Sequence, residues 1–594
     1  MASKRRVIRG IPISSGIALG HAKVVVPGYL NVAEKPIPVS RVKGEIAALE
    51  RAVTETANEL RELRDSAGRK MPGSVSKVFD AQLLIATDQE FLNQVKEEIV
   101  ARRRNAGFVY NLLVKRTTHQ LSLSDEQYLR QTGREIEAVA DRVLSHLSGV
   151  GEKSTALFGE NTILVAKSLT PGDILGYRQR RAVGFLTAEG GTHSHMALIA
   201  RSLLVPLVVA PGVLDKVPKG SPIIVDGASG QAILNPTEEE WADYQKKRRR
   251  HGPAIISRIK KLTEIPPRTA DGQPVQIEAN LEFPGPADDI LAAKKVPVGL
   301  YRTEFLYLDD RDSPDEIAQF KHYDRIAEKF AGAHVVFRTF DLGSDKIQPD
   351  NETLTESNPA LGWRGIRLML EMTPVFKTQI RAILRASVRR NLSILLPMIS
   401  DLSELKKARK LVSQAMLELR REGELFDERI PVGVMVEVPS AALGADQLAQ
   451  MADFINIGTN DLTQYTMAAD RGNHRVANLY NPYHPSVLSL VEMTVDACKK
   501  HGKPVCVCGE VAGDPLALPL FVGMGVTSLS MNPSKVFDTC RLVKKIDSQL
   551  VRHLVGPVLS SKSVASVIRK LQNYRNAIDS QQPPKYRKRD IATA

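Results

Sequence analysis

The segment Gly190-Gly191-Thr192-His193-Ser194-His195-Met196-Ala197-Leu198-Ile199-Ala200-Arg201 runs from two glycines into the start of a helical pattern. Backbone N–H groups at a helix start hold anions, and the helix dipole favours negative charge there. The same positive end keeps an imidazole neutral, and therefore nucleophilic, until it is phosphorylated. A histidine at this point reads as a phosphoryl acceptor. There are two candidates, His193 and His195, and the plainer alternative is a turn carrying surface histidines. A second set is spread more widely. Arg302, Arg338, Glu437, Asn460, Asp461, Arg471 and Cys508 each close or follow a strand-like run. Arginine forks match phosphate and carboxylate oxygens. Glu437 and Asp461 supply two hard oxygen ligands from neighbouring strands. That suits Mg2+, which takes one or two carboxylates plus substrate oxygens and water. Together these residues predict a small, multiply anionic, Mg2+-bound substrate. Cys506 and Cys508 share a strand face by alternation, so pattern alone does not separate them.

The elements that must position these groups are legible in the apolar periodicity. Short β-like runs at 163–165, 183–186, 207–209, 223–225 and 232–234 predict a compact α/β domain, joined by a strand at 20–26. Between them, from about residue 40 to 147, glycine is sparse and Ile46, Leu49, Val53 and Leu60 recur at helical spacing. This predicts an inserted domain of about four amphipathic helices. Strand-like runs then follow at 275–281, 296–301, 334–340, 393–398, 432–438, 454–458, 505–508 and 528–531, with helical stretches between them. Eight such runs predict a (β/α)8 TIM-type barrel, whose catalytic groups lie at the C-terminal strand ends. An open doubly wound sheet is the alternative, but no Gly-x-Gly-x-x-Gly follows the first run.

A chain of 594 residues holds three to five domains, or fewer with a large barrel, and is no single small binding module. Hydrophobic content of 43% and charged content of 25% fit a folded soluble protein. No apolar run reaches the roughly 20 residues of a membrane span. The N-terminal segment lacks a continuous apolar core of the signal-peptide kind, and four cysteines make no disulfide framework. The expectation is a cytoplasmic protein without membrane insertion. The formal charge of +14 admits nucleic acid, an anionic substrate or an acidic partner. Only 5% of residues are aromatic, and no zinc-finger spacing, RRM signature or helix-turn-helix is found, so no nucleic acid is expected. Much of the charge sits in Lys246-Lys247-Arg248-Arg249-Arg250, read as a hinge-like linker, and near residues 585–589, read as a solvated tail.

Taken together these residues resemble the phosphoenolpyruvate-protein phosphotransferases, Enzyme I of bacterial sugar phosphotransferase systems. The resemblance spans Ile8-Arg9-Gly10 to about residue 550. It is carried by Tyr301-Arg302-Thr303-Glu304-Phe305, Arg338-Thr339-Phe340-Asp341, Asn358-Pro359-Ala360-Leu361-Gly362-Trp363-Arg364, Gly458-Thr459-Asn460-Asp461-Leu462-Thr463-Gln464-Tyr465 and Cys508-Gly509-Glu510. It implies a swivelling phosphohistidine α/β domain at 1–34 and 148–236, and a helical domain docking the carrier HPr at 35–147. A linker at 237–258, a phosphoenolpyruvate-binding and dimerising barrel at 259–555 and a basic tail at 556–594 complete the layout. By resemblance His195 is phosphorylated on Nε2 and Thr170 orients it. Cys508 protonates the enolate to give pyruvate, and Arg302, Arg338, Asn460, Asp461 and Arg471 bind substrate. Glu437 and Asp461 hold Mg2+. The family motif has threonine where this chain has His193, a departure that leaves the nucleophile in place.

Two other readings compete. A pyruvate-phosphate dikinase or phosphoenolpyruvate synthase needs an ATP-binding domain that residues 27–147 are too few and too helical to supply. A non-catalytic regulator with a basic surface would leave the catalytic set without a purpose. Relatives with an extra N-terminal sensory domain exist, and the plain form is expected here. Residues 35–145 hold 18 Lys/Arg against 16 Asp/Glu. The implied carrier docking is therefore expected to depend little on salt.

Overall fold

The computed structural model describes residues 5–25, 32–70, 73–122, 127–148, 159, 161–190, 195–203, 205–248, 253–263, 265–282, 287–307, 314–343, 356, 358–470, 476 and 479–580. The chain forms two compact units, residues 1–255 with 283–286 and residues 256–282 with 287–594.

The first unit is built on a mixed eight-stranded sheet. Its strands are β1 (Arg6–Arg9), β2 (Ile11–Ser14), β3 (Ile17–Val25), β4 (Thr162–Ala166), β5 (Ala182–Thr187), β6 (Leu207–Val209), β7 (Pro222–Asp226) and β8 (Gln231–Leu234), in the order β1-β8-β7-β3-β4-β5-β6-β2. The strands β3 to β6 run parallel, and β7 pairs antiparallel with β3. The short edge strands β1 and β2 carry Arg6, Arg9 and Pro12 and escape the sequence pattern. Between the parallel neighbours β3 and β4 the chain leaves for the helices Val39–Lys70, Gly73–Ala86, Gln89–Arg102, Ala106–Ser122 and Gln127–Leu147. Along the first of these Leu49, Val53, Ala57, Leu60 and Leu63 are buried, three or four residues apart and thus on one face. Asp88 caps the third helix by accepting from the N–H groups of Glu90 and Phe91. The insertion is not a separate bead. Leu60, Leu63 and Phe79 share one core with Leu164, Ile174, Phe185, Met196 and Ile199 of the α/β layer.

The second unit is a closed barrel of eight parallel strands. They are β9 (Gln276–Leu281), β10 (Val298–Arg302), β11 (Val335–Arg338), β12 (Leu392–Leu396), β13 (Val432–Val436), β14 (Ile455–Gly458), β15 (Val505–Cys508) and β16 (Ser528–Met531), with β16 pairing back onto β9. Closure excludes the open sheet. Strands β12 and β13 are buried at every residue, as expected where both faces are covered. On β9 Ile277, Ala279 and Leu281 are buried while Gln276, Glu278 and Asn280 are only partly so, a period of two that turns polar groups toward the barrel interior.

One segment reads otherwise from sequence. The stretch expected as a tail from residue 556 continues in helices Ser548–Leu559 and Val564–Ser580. Val567, Leu571 and Tyr574 are buried, an apolar stripe that fixes the second helix to the fold; the basic run at 585–589 lies outside the described residues. The basic run at 246–251 begins inside the helix Glu238–Arg248, and its later residues also lie outside them.

Candidate active site

Every barrel strand that carries a site residue delivers it at its C-terminal end. Arg302 closes β10 and Arg338 closes β11. Arg338 is 8% exposed; its guanidinium reaches Glu304 at 2.7 Å and Asp341 at 3.2 Å. Arg302 pairs with Glu282. In both arginines the Nε atom is buried and has no hydrogen-bond partner. A buried donor without a partner costs free energy, so two such donors at one mouth are suited to ligand oxygens.

Glu437 directly follows β13 and is 2% exposed. Its Oε1 accepts from the backbone N–H of Met398 at 2.7 Å. Burial, reinforced by the carboxylates of Asp461 and Asp341, pushes Glu437 up to about 8. Asn460 and Asp461 lie in the first turn of helix Thr459–Met467, directly after β14. Asn460 Oδ1 accepts from the N–H of Glu510 at 3.2 Å, and its carbonyl accepts from Tyr480 Oη at 3.1 Å. Asp461 is buried, and Arg364 lies 3.5 Å from it. Two carboxylates crowded enough to raise one of them suit a divalent cation, which relieves their repulsion. Among the described residues no group of three or more His, Cys, Asp and Glu is arranged around one metal position.

The structure separates the two cysteines. Cys508 is 1% exposed, and its thiol points to the Ile457 carbonyl at 3.4 Å, beside the strand end. Burial pushes it up to about 12, with Glu437 adding to the rise and Arg338 and Arg302 opposing it. It is a thiol, not a thiolate, at neutral pH. Cys506 sits one step deeper and donates to Glu278 Oε2 at 3.6 Å. Arg471 lies outside the described residues.

In the first unit His195 opens helix His195–Ser202. Met196, Ala197, Ile199 and Ala200 anchor that helix in the core, and Arg201 donates to the Ile13 carbonyl at 2.7 Å. Gly190 has φ of 144°, and a Cβ there would lie 2.4 Å from Met196 Cε. Only glycine allows so close an approach at that dihedral. His193 lies outside the described residues. Thr170 is the N-cap of helix Pro171–Gln179 and forms a capping box with Asp173. Its hydroxyl donates to Asp173 Oδ2 at 2.8 Å, while Asp173 Oδ1 accepts from Arg142 of the insertion at 3.4 Å.

The chain matches three consecutive family descriptions: the N-terminal region of phosphoenolpyruvate-utilising enzymes over residues 9–132, their mobile domain over 158–230 and their phosphoenolpyruvate-binding domain over 257–548. The phosphoenolpyruvate-protein phosphotransferase of Geobacillus stearothermophilus is 40% identical over 569 residues, covering 96% of this chain and 98% of that one. Those of Bacillus subtilis and Staphylococcus aureus are 36% and 35% identical, at 98% and 99% of their own lengths. The chain belongs to the phosphoenolpyruvate-protein phosphotransferases. It is an enzyme that uses phosphoenolpyruvate as phosphoryl donor. No helix among the described residues is long and apolar enough to cross a membrane.

The barrel mouth of this family member also holds residues that the sequence reading did not place there. Arg364 grips Asp341 with two hydrogen bonds, at 2.6 and 3.0 Å, and reaches Tyr465 Oη at 3.2 Å. Burial alone would raise Asp341, but Arg364 and Arg338 outweigh it and hold this carboxyl well below its usual range. Glu304 takes both Arg338 and the Asp341 N–H, at 2.7 and 3.2 Å. Asp341, Glu304 and Arg364 all lie inside the segments that carry the family resemblance, which was the available signal.

Proposed function

We propose that this enzyme moves the phosphoryl group of phosphoenolpyruvate to His195 and then to a histidine of a small carrier protein of the HPr kind, releasing pyruvate. That is the first step of a sugar phosphotransferase system. The observation carrying this reading is the pair of buried, unpartnered Nε donors on Arg302 and Arg338, set beside Glu437, Asp461 and Cys508 at one barrel mouth. Phosphoryl transfer needs positioned cations around the transferring group and an open line of attack.

In this reading Arg302, Arg338 and Arg471 neutralise substrate oxygens, and Asn460 orients them. Glu437 and Asp461 would hold Mg2+, which when bound withdraws charge from the phosphoryl oxygens. Nε2 of His195 attacks phosphorus in line, and the bond from phosphorus to the enol oxygen breaks. Cys508 gives its thiol proton to C3 of the enolate, leaving pyruvate and a thiolate that regains a proton before the next cycle. Thr170 orients His195. The hydroxyl proton of Thr170 is committed to Asp173 and its oxygen already accepts from the Asp173 N–H at 3.2 Å, so one remaining lone pair would accept from an imidazole N–H. The inserted helices dock the carrier, the linker region permits the histidine to serve two sites, and the barrel forms a homodimer.

Incubation with [32P]phosphoenolpyruvate and Mg2+ tests this. Acid-labile label is expected on the wild type and on His193→Ala, and none on His195→Ala. Label lost instead with His193→Ala overturns the assignment. Pyruvate release that requires ATP or phosphate, not an acceptor protein, overturns the reaction itself.

A further inference from the structure

The barrel interior is divided by chemistry. One side is apolar, built from Leu300, Val336, Leu395 and Met435 with Cys508 at its edge. The other side is polar. There Cys508, Ser530 and Glu278 stand in one row across β15, β16 and β9, because Cys508 pairs with Ser530 and Ser530 with Glu278. Neighbouring strands lie about 4.8 Å apart, so Glu278 stands roughly 10 Å of backbone from Cys508. Its side chain reaches across β16 to accept from Cys506 at 3.6 Å, a contact possible only on the concave face. The room for this carboxyl comes from the next strand. A Cβ at Gly299 of β10 would lie 1.9 Å from Glu278 Oε2 and 2.7 Å from Ser530 Oγ. The backbone there is further tied by Asn456, which donates to the Gly299 carbonyl at 3.0 Å.

Among the described residues no ion pair joins a cation to this carboxyl. The groups around it are Cys506 and Cys508 from β15, Ser528 and Ser530 from β16 and the bare backbone of Gly299 from β10. Glu278 is half-buried by exposed area, but its carboxyl lies inside the barrel, and that loss of water pushes it up to about 7, only partly offset by Cys506 and Ser528. The charged groups acting on Cys508 itself are Glu437, Arg338, Arg302 and Glu278. The assigned catalytic set uses all of these but Glu278.

We propose that Glu278 is a positioning residue that sets the proton-donating power of Cys508. As a neutral acid it leaves the thiol free to part with its proton; as a carboxylate it holds that proton on sulfur. The inference rests on the role of Cys508 proposed above. In the step concerned the S–H bond of Cys508 breaks, a C–H bond forms at C3 of the enolate, and the negative charge passes to sulfur. A carboxylate in the same interior row opposes that charge, and a neutral acid does not.

Single-turnover experiments with phosphoenolpyruvate and Mg2+, read for label on the protein and for pyruvate in the same quenched samples, test this. In the wild type, pyruvate formation relative to labelling is expected to fall about fivefold or more from about pH 6 to about pH 8.5, as Glu278 ionises. Glu278→Gln, a neutral isostere, is expected to change less than about twofold over that range, and Glu278→Asp to keep the fall. Glu437 and the other assigned site residues are unchanged in all three proteins, so the difference between profiles reports Glu278. A Glu278→Gln profile that superimposes on the wild type overturns the proposal even if the protein labels normally. Absence of label from the wild type overturns the underlying reading and this inference together.

Discussion

Arg364 and Asp341 form a two-point clamp at the barrel mouth, with Nη2 and Nε of the arginine 2.6 and 3.0 Å from the two carboxylate oxygens. The arginine touches Asp461 at 3.5 Å, so the clamp also sets the electrostatic surroundings of a proposed metal ligand. Removing one partner of a buried pair leaves the other uncompensated. Arg364→Met is expected to destabilise the barrel by about 3 kcal/mol, read from its calorimetric transition. Arg364→Met/Asp341→Asn should lose less than the two single changes added together; strict additivity would show that the pair is not coupled. The acid limb follows from the sign of the shift. Asp341 is held low in the folded state, so its contribution is present above the ordinary carboxyl range and is lost as pH falls below it. Asp341→Asn should flatten that loss.

Thr170 and Asp173 satisfy each other's N–H groups at the head of one helix. Thr170→Val removes the cap and should cost the first unit about 1 kcal/mol. It should also slow labelling of His195, whereas Thr170→Ser should restore both. A Thr170→Val protein that is destabilised but labels at the normal rate would confine Thr170 to capping.

Glu437 and Asp461 predict a metal response in the absence of substrate. Mg2+ at about a hundredfold above its Kd should stabilise the wild-type barrel by roughly 2.7 kcal/mol. Glu437→Gln should show almost none of that gain in a thermal-shift titration, because one of two protein ligands has lost its charge. An equal shift in both proteins would move the ion elsewhere.

The cysteines make a test that depends on chemical reactivity. All four are buried and free. Cys508 is held far from thiolate, so alkylation of the folded protein near neutral pH should be slow, with mass spectrometry showing no rapidly modified site. Cys508→Ala should still take label but form pyruvate slowly, while Cys506→Ala should form pyruvate far more nearly at the wild-type rate. Equal defects in both would leave the two thiols undistinguished in function.

The barrel was readable because its strands are short apolar runs bounded by turns, and 505–508 and 528–531 coincide with the structure residue for residue. The site residues at strand ends followed from that frame. Arg364, Asp341 and Glu304 did not, although all three stand in the quoted motifs. Their meaning arises only when closure brings Arg364 against Asp341, 23 residues away, and against Tyr465, 101 residues away. Periodicity has no access to such pairings. Likewise, alternation put Cys506 and Cys508 on one face, but only their different partners, Glu278 and the Ile457 carbonyl, tell them apart. The helix Val564–Ser580 was obscured by the basic stretch beyond it, although Val567, Leu571 and Tyr574 already carried the spacing of a buried face.

The core that Leu60, Leu63 and Phe79 share with Ile174, Phe185 and Met196 has a kinetic corollary. With Arg142 bonded to Asp173 from the insertion, the helices and the sheet bearing His195 are expected to travel as one body. On the proposed division of labour, a carrier seated on those helices keeps a constant distance from the histidine, whatever the connecting segment does. Lengthening or stiffening residues 249–252 should then change how fast the histidine is charged from phosphoenolpyruvate, yet leave the speed of its discharge to the carrier untouched.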